Sequence, residues 1–122
     1  MGRELTSHKV GDLNDVLKIE VLDKPGPGGA NHSYMITPTI GNAVGLKIDF
    51  QNGPLKETIY PNGLTIESLL AIAEDRLKGF QSGPFACREN ALALTHIQKS
   101  MNWLHHRTRD RLQRGVEGTN QA

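Results

Sequence analysis

The segment Gly83-Pro84-Phe85-Ala86-Cys87-Arg88-Glu89-Asn90 constrains this chain more than any other, because helical periodicity runs up to it and resumes after it. Ile66, Leu69, Leu70, Ala73, Leu77 and Phe80 recur at helical spacing before it, and Leu94, Ile97, Met101 and Leu104 do so after it. Two amphipathic helices therefore meet at a corner. Gly83 suits the left-handed conformation that ends one helix, and Pro84, with φ preset and no N–H to lose, suits the first turn of the next. The pattern predicts an antiparallel helical hairpin with facing apolar seams, its second helix running from Pro84 to about Arg114. Ala73 offers a small residue where the backbones approach. Ile72 falls off the seam and favours a second buried face, hence an oligomer.

A chain of 122 residues fits one domain, and at 37% hydrophobic but 5% aromatic its own core is modest. Association between copies is the expected remedy. The formal net charge of +1 argues against binding long nucleic acid across a broad basic surface, while leaving room for a local anion site. Cys87 is the single cysteine, so no internal disulfide forms, and the start Met1-Gly2-Arg3-Glu4 lacks the apolar stretch of a secretory leader. No apolar run reaches the length of a membrane span. The expectation is a soluble, intracellular protein.

Residues 1–14 mix charge, Gly and Ser without a period and are expected to form a loosely ordered arm. The run Asp15 to Asp23 puts Leu17, Ile19 and Val21 on one side of a strand. Lys24-Pro25-Gly26-Pro27-Gly28-Gly29-Ala30 continues neither strand nor helix and is expected to be a mobile loop, either a plain connector or a cover for a ligand. Strands are predicted over Asn31 to Thr37 and over Val44 to Phe50. Gln51-Asn52-Gly53-Pro54 is then a turn signal, with Leu55 to Tyr60 returning as a partner strand that Pro54 places at an edge or makes start late. Thr65 is placed to cap the first helix and Gly115 to stop the second. The predicted class is α+β: a single domain with a small antiparallel sheet over residues 15–62, a helical hairpin over 63–114 and a tail over 115–122.

Four blocks carry a family resemblance: Phe50-Gln51-Asn52-Gly53-Pro54, Asp75-Arg76-Leu77, Gly83 to Asn90, and Arg107-Thr108-Arg109-Asp110-Arg111 leading to Gly115-Val116-Glu117-Gly118-Thr119. Together they resemble the phage anti-Thoeris sponges, which share their helical hairpin with the anti-CBASS cyclic-nucleotide sponges. The likeness covers roughly Asn31 to the C-terminus, and the sheet ahead of the hairpin is similar to the anti-Thoeris type. It implies a non-enzymatic protein, acting in the cytoplasm of an infected bacterium, that binds and hides a cyclic ADP-ribose isomer made by a TIR-domain enzyme. It also implies that some members hold cyclic di- or trinucleotides at separate sites and that members assemble into oligomers up to hexamers.

A cyclic nucleotide needs forked cations for its phosphates, amides or hydroxyls for its sugars, and a flat surface for its bases. Arg107 and Arg109 can each grip phosphate bidentately, or serve as a solvated basic helix end; the resemblance favours the first role, for Arg109 especially. Arg88 and Asn90 occupy the first turns of the second helix, where free N–H groups attract anions, although capping of the corner is an equal use. Phe80, Phe85 and Trp103 are either core or stacking surfaces. Asn31, His32 and Tyr34 follow the glycine-rich loop and either line a pocket beneath it or are ordinary strand surface, and Lys56 either meets a second anion at a subunit contact or is a solvated lysine. His105 and His106 point about 100° apart on a helix and cannot easily chelate one metal ion, so no metal site is expected. Cys87 has no evident base partner, and no Gly-x-Ser-x-Gly elbow or Walker-type phosphate loop is present, so neither nucleophilic catalysis nor a cofactor is expected. The sequence thus points to a homo-oligomeric binding protein that stores a nucleotide signal intact. A phosphodiesterase or hydrolase using the histidines, and a small nucleic-acid-binding module using the basic helix end, are the rival readings.

Overall fold

The structure is a computed structural model that describes residues 2–55 and 60–115. Two compact units divide the chain, Met1–Leu64 and Thr65–Ala122. The first is built on a four-stranded sheet, β1 (Arg3–Leu5), β2 (Leu17–Val21), β3 (Ser33–Pro38) and β4 (Leu46–Asp49), with a short helix α1 (Asp12–Asp15) between the first two strands. The strands lie in chain order, and every neighbouring pair is antiparallel. An α+β protein with an N-terminal antiparallel sheet and C-terminal helices is what the residue patterns predict.

Partners across an antiparallel ladder share a face. The register aligns Leu5, Ile19, Ile36 and Leu46 in one row and Arg3, Val21, Tyr34 and Ile48 in another, which makes one face largely apolar. Glu4, Glu20, Met35 and Lys47 form a row on the opposite face. Ion pairs run along that face, Lys18 to Glu20 at 3.7 Å and Lys47 to Asp49 at 3.8 Å. Val21, 2% exposed, is the one fully buried hydrophobic residue among those described, while Leu46 on the same apolar face remains 62% exposed.

The loosely ordered arm expected over residues 1–14 is overturned. All three residues of β1 pair with β2, so this strand is imposed by its neighbour's open hydrogen-bonding edge and not by a period of its own. Behind it, Lys9 reaches Glu4 at 3.1 Å, and His8 Nε2 lies 2.6 Å from the Leu17 carbonyl oxygen, which places the ring proton on that nitrogen. The glycine-rich connector forms a 3-10 turn at Pro27–Gly29, closed by the Gly29 N–H on Gly26 O and the Gly26 N–H on Ala30 O.

A second correction concerns Asn52-Gly53. The tight hairpin turn needs positive φ at both residues, yet among the described residues only glycines have it, Gly53 at 90°. The chain instead makes a closed loop from Phe50 to Leu64, whose ends meet in a parallel bridge. The Gln51 N–H donates to Leu64 O and the Leu64 N–H to Asp49 O, each at 2.8 Å. Gly63 is needed at this throat, since a Cβ there would stand 2.6 Å from Phe50 O and 2.7 Å from Asp49 O. The return strand expected over Leu55 to Tyr60 falls mostly on residues 56–59, outside the described residues; Leu55 and Tyr60 themselves are not in strands.

The second unit consists of α2 (Ile66–Gln81) and α3 (Arg88–Arg114). Thr65 caps α2 as its sequence position predicts: its hydroxyl accepts from the Ser68 N–H at 3.0 Å, and Ser68 Oγ accepts from the Thr65 N–H. Gly115 ends α3 in the left-handed conformation, φ 73°. At the corner the expectation is corrected twice. Gly83 is not left-handed; Ser82 closes α2 instead, its hydroxyl donating to Lys78 O at 2.7 Å. Pro84 is not the first helical residue either. It takes the second position of a turn in which the Ala86 N–H meets Gly83 O at 3.4 Å, a place its fixed φ fits equally well, and α3 starts four residues later with Cys87 as its cap.

The seam residues Leu69, Leu70, Ala73, Leu77 and Phe80 of α2 and Leu94, Ile97, Met101 and Leu104 of α3 are all half-buried. Gln98 Nε2 bridges the helices to Glu74 Oε2 at 3.2 Å. Ile72, off the seam, is 67% exposed, and Ile66, expected on it, is 55% exposed. Arg111 is the one fully buried residue of the two helices among those described.

Candidate functional site

The sheet unit holds a cavity of about 370 Å³ lined by Asp23, His32, Ser33, Asp49, Phe50, Asn52 and Asn62. Asp23 stands at the end of β2, just before the glycine-rich loop, and its carboxylate accepts from the backbone N–H groups of His32 at 2.9 Å and Ser33 at 3.2 Å. Partial burial pushes this carboxyl up, but those two donors and the Asn31 side chain outweigh it and hold Asp23 below its ordinary value. With Asp23 and Asp49 both in the wall, the cavity is rich in acceptors. Such a lining suits hydroxyl and amino groups of a sugar or base, and it repels phosphate.

His32, predicted to line a pocket here, does so, with Nδ1 buried and without a hydrogen bond among the described residues. Its ring lies close under Gly26, where a Cβ would come within 3.2 Å of it. Asn31 is committed to the scaffold: its Nδ2 donates to Asp23 O at 2.7 Å and its Oδ1 accepts from Arg3 at 2.8 Å. Tyr34 is not among the lining residues named above; its ring stands edge-on to that of Phe50, which is, at 5.7 Å. Lys56 lies outside the described residues. The residue patterns do not single out Asp23, Asp49, Asn52 or Asn62 as site residues; Asn52-Gly53 signals a turn and Asn62-Gly63 the end of the sheet, and neither signal reports a cavity wall.

At the corner of the hairpin, Phe80 and Phe85 are 6.3 Å apart, and the Arg76 guanidinium carbon sits 5.0 Å over the Phe80 ring. Phe80 is half-buried and thus braced between a cation and a neighbouring ring. Phe85 is 70% exposed. Gln81 Oε1 accepts the Cys87 N–H at 3.1 Å, and Cys87 Sγ accepts the Asn90 N–H at 3.4 Å, which leaves the N–H groups of Arg88 and Glu89 without intrahelical partners. Arg88 is exposed in this first turn, whereas Asn90 is half-buried. An exposed ring can stack a base, and a helix N-terminus with an exposed arginine can hold a phosphate oxygen; the corner supplies both within four residues, Phe85 to Arg88.

At the far end of α3, Trp103 is 72% exposed and stands edge-on to His106 at 5.8 Å. Asp110 pairs with Arg114 at 3.0 Å. Arg107 and Arg109 are both exposed, but two residues on a helix are about 200° apart, so they flank opposite sides of the seam and do not share one phosphate. Arg88 and Arg109 are separated along the helix by about 32 Å. One small ligand therefore reaches the corner or the arginine end of a given hairpin, not both.

Residues 42–109 match the family described as "Acb2/Tad1, hairpin domain". The chain belongs to that family. Within the Acb2/Tad1 hairpin match lie β4, the closed loop with Asn52 and Asn62, the whole corner, Arg107 and Arg109; Asp23, His32 and Ser33 lie before it. The chain is also similar to "Thoeris anti-defense 1" of Bacillus phage SBSphiJ7, with 40% identity over 96 residues, 79% of this chain and 66% of that relative. It spans just under two thirds of the relative's length.

Proposed function

We propose that this protein is a phage anti-defence factor that binds a cyclic ADP-ribose type immune signal and sequesters it uncleaved. Membership of the Acb2/Tad1 hairpin family and the likeness to a Thoeris anti-defense protein support the anti-defence role. The observation that carries the chemistry is the corner, where the exposed Phe85 precedes by three residues the head of α3, at which the N–H groups of Arg88 and Glu89 are free of intrahelical partners and Arg88 is exposed. A base stacks on Phe85 and a diphosphate oxygen is received by Arg88 and the helix terminus. Cyclic di- and trinucleotides offer the same two features and are second candidates. The protein acts where the signal is made, in the cytoplasm of the infected bacterium.

Assembly is part of the proposal. Leu46 on the sheet, Ile72 on α2 and Trp103 on α3 are 62%, 67% and 72% exposed, and only Val21 is fully buried among the described hydrophobic residues. A homo-oligomer, as large as a hexamer, covers such surface and brings Arg109 of one protomer to a site on another, which a single hairpin cannot do across about 32 Å.

The test is to incubate the purified protein with cyclic ADP-ribose isomers, remove unbound ligand, denature by heat and chromatograph what is released. Intact ligand in stoichiometric amount supports sequestration. Recovery of linear product would instead make the protein a hydrolase.

A further inference from the structure

The closed loop between β4 and α2 contains two Asn-Gly dipeptides, Asn52-Gly53 and Asn62-Gly63, whose asparagines face each other across its throat. An asparagine followed by glycine is prone to a spontaneous reaction, because the unhindered glycine nitrogen can reach the side-chain amide carbon. The two sites differ sharply in how their groups are held.

Asn62 is held on every side. Its Oδ1 accepts the Asn52 N–H at 2.8 Å, its Nδ2 donates to Asn52 O at 2.8 Å, and its own N–H donates to Gln51 Oε1 at 2.9 Å. Gly63, the would-be nucleophile, is wedged against the Phe50 and Asp49 backbone. Rotation of the Asn62 amide toward Gly63 N would break two hydrogen bonds at once. Asn52 is the opposite case. It is exposed, and its side-chain amide makes no hydrogen bond among the described residues. The Gly53 N–H likewise has no acceptor among the described residues, and Gly53 takes a φ of 90°. The bond from Asn62 Nδ2 to Asn52 O adds a chemical push, since a donor on the carbonyl withdraws charge from the Asn52–Gly53 peptide and favours loss of its N–H proton.

We propose that Asn52 is a self-modification site of the folded protein: the Gly53 nitrogen attacks Asn52 Cγ and converts the asparagine to aspartate and isoaspartate, with Asn62 protected and acting as the positioning residue. In the first step the Gly53 N–H proton is lost, a bond forms from Gly53 N to Asn52 Cγ, and the Cγ–Nδ2 bond breaks with release of ammonia, giving a five-membered succinimide. Water then opens either carbonyl of that ring. No oxidant, reductant or enzyme enters, only water. The product places a third carboxylate in the wall that already holds Asp23 and Asp49, and the isoaspartate product also lengthens the backbone at the throat of the loop.

The experiment is storage of the purified full-length protein in neutral and in mildly alkaline buffer, with peptide mass spectrometry at intervals. A urea-unfolded sample and the Asn52→Gln and Asn62→Ala variants run in parallel. Expected in the folded protein is the amide-to-acid mass increase at Asn52, faster in alkali, with Asn62 unchanged. In urea both asparagines convert, and Asn62→Ala slows conversion at Asn52. Because mass is read without ligand, the outcome is independent of whether the protein binds a cyclic nucleotide. An Asn52 that stays intact when folded but converts in urea overturns the proposal, as does equal conversion of Asn52 and Asn62 in the folded protein. Conversion of Asn52 undiminished by Asn62→Ala overturns the positioning role.

Discussion

Asp23 Oδ2 accepts the His32 N–H at 2.9 Å, so one carboxylate ties the end of β2 to the start of β3 and closes the base of the glycine-rich loop. Because those backbone donors favour the charged form, Asp23 is held below the ordinary value of 3.8. A lowered carboxyl contributes stability that is present above the unfolded value and lost as pH falls through the folded one. The expected outcome is that Asp23→Asn lowers the melting temperature at neutral pH and that its curve of melting temperature against pH is flatter than the wild type's below about pH 4. Parallel curves would exclude this carboxylate as a source of acid sensitivity.

Val21 reports on the sheet. It is 2% exposed, and shortening it to alanine removes apolar contact that no other described residue of that unit replaces. Val21→Ala is expected to cost about 2 kcal/mol in urea unfolding. If the assembly proposal is right, the midpoint for wild type and variant alike rises with protein concentration. A midpoint independent of concentration would leave the protomer standing on its own small core.

How much of this molecule was legible in its sequence depends on whether a residue's role is local. Thr65 and Gly115 were legible because a cap is decided within a few residues, and β2 was legible from Leu17, Ile19 and Val21 alone. The strand at Arg3–Leu5 was not, since one apolar residue in three shows no period and the pairing that creates it comes from β2, more than a dozen residues on. Pro84 misled for a different reason: a preset φ suits a turn and a helix start equally, and here the Ala86 N–H closes a turn on Gly83 O while Cys87 caps the helix. In the cavity, His32 was found because it follows a glycine-rich loop. Asp23 and Asp49 were missed because only the strand register brings them to one wall.

Phe85 separates stacking from packing. A ring that is 70% exposed contributes little to folding, so Phe85→Ala is expected to leave the melting temperature of the free protein within a degree or so. If a base stacks on it, the same substitution weakens ligand binding by about 1–3 kcal/mol, roughly 5- to 150-fold, read by calorimetry with a cyclic ADP-ribose isomer. Phe85→Tyr, which keeps the flat face, restores most of the loss. Unchanged affinity in Phe85→Ala would move the base away from the corner.

Arg109 and Arg107 provide the sharpest comparison, because they have the same chemistry on the same helix end and differ in direction by about 200°. Neither is buried, so neither replacement by alanine should unfold the protein or dissociate an oligomer held by apolar surface. Arg109→Ala is expected to abolish most ligand affinity, and Arg107→Ala to weaken it by a smaller factor. Arg109→Lys should restore little, since an ammonium replaces a planar fork as a point charge. In the proposed arrangement Arg109 completes a site on another protomer, because its own Arg88 lies about 32 Å away along the helix. Mixing Arg109→Ala with Arg88→Ala protein and allowing subunits to exchange should therefore regenerate intact sites where the unmutated arginines meet. Mixed oligomers that bind no better than either parent would mean that no site combines Arg88 of one protomer with Arg109 of another, and the inter-protomer arrangement would be abandoned.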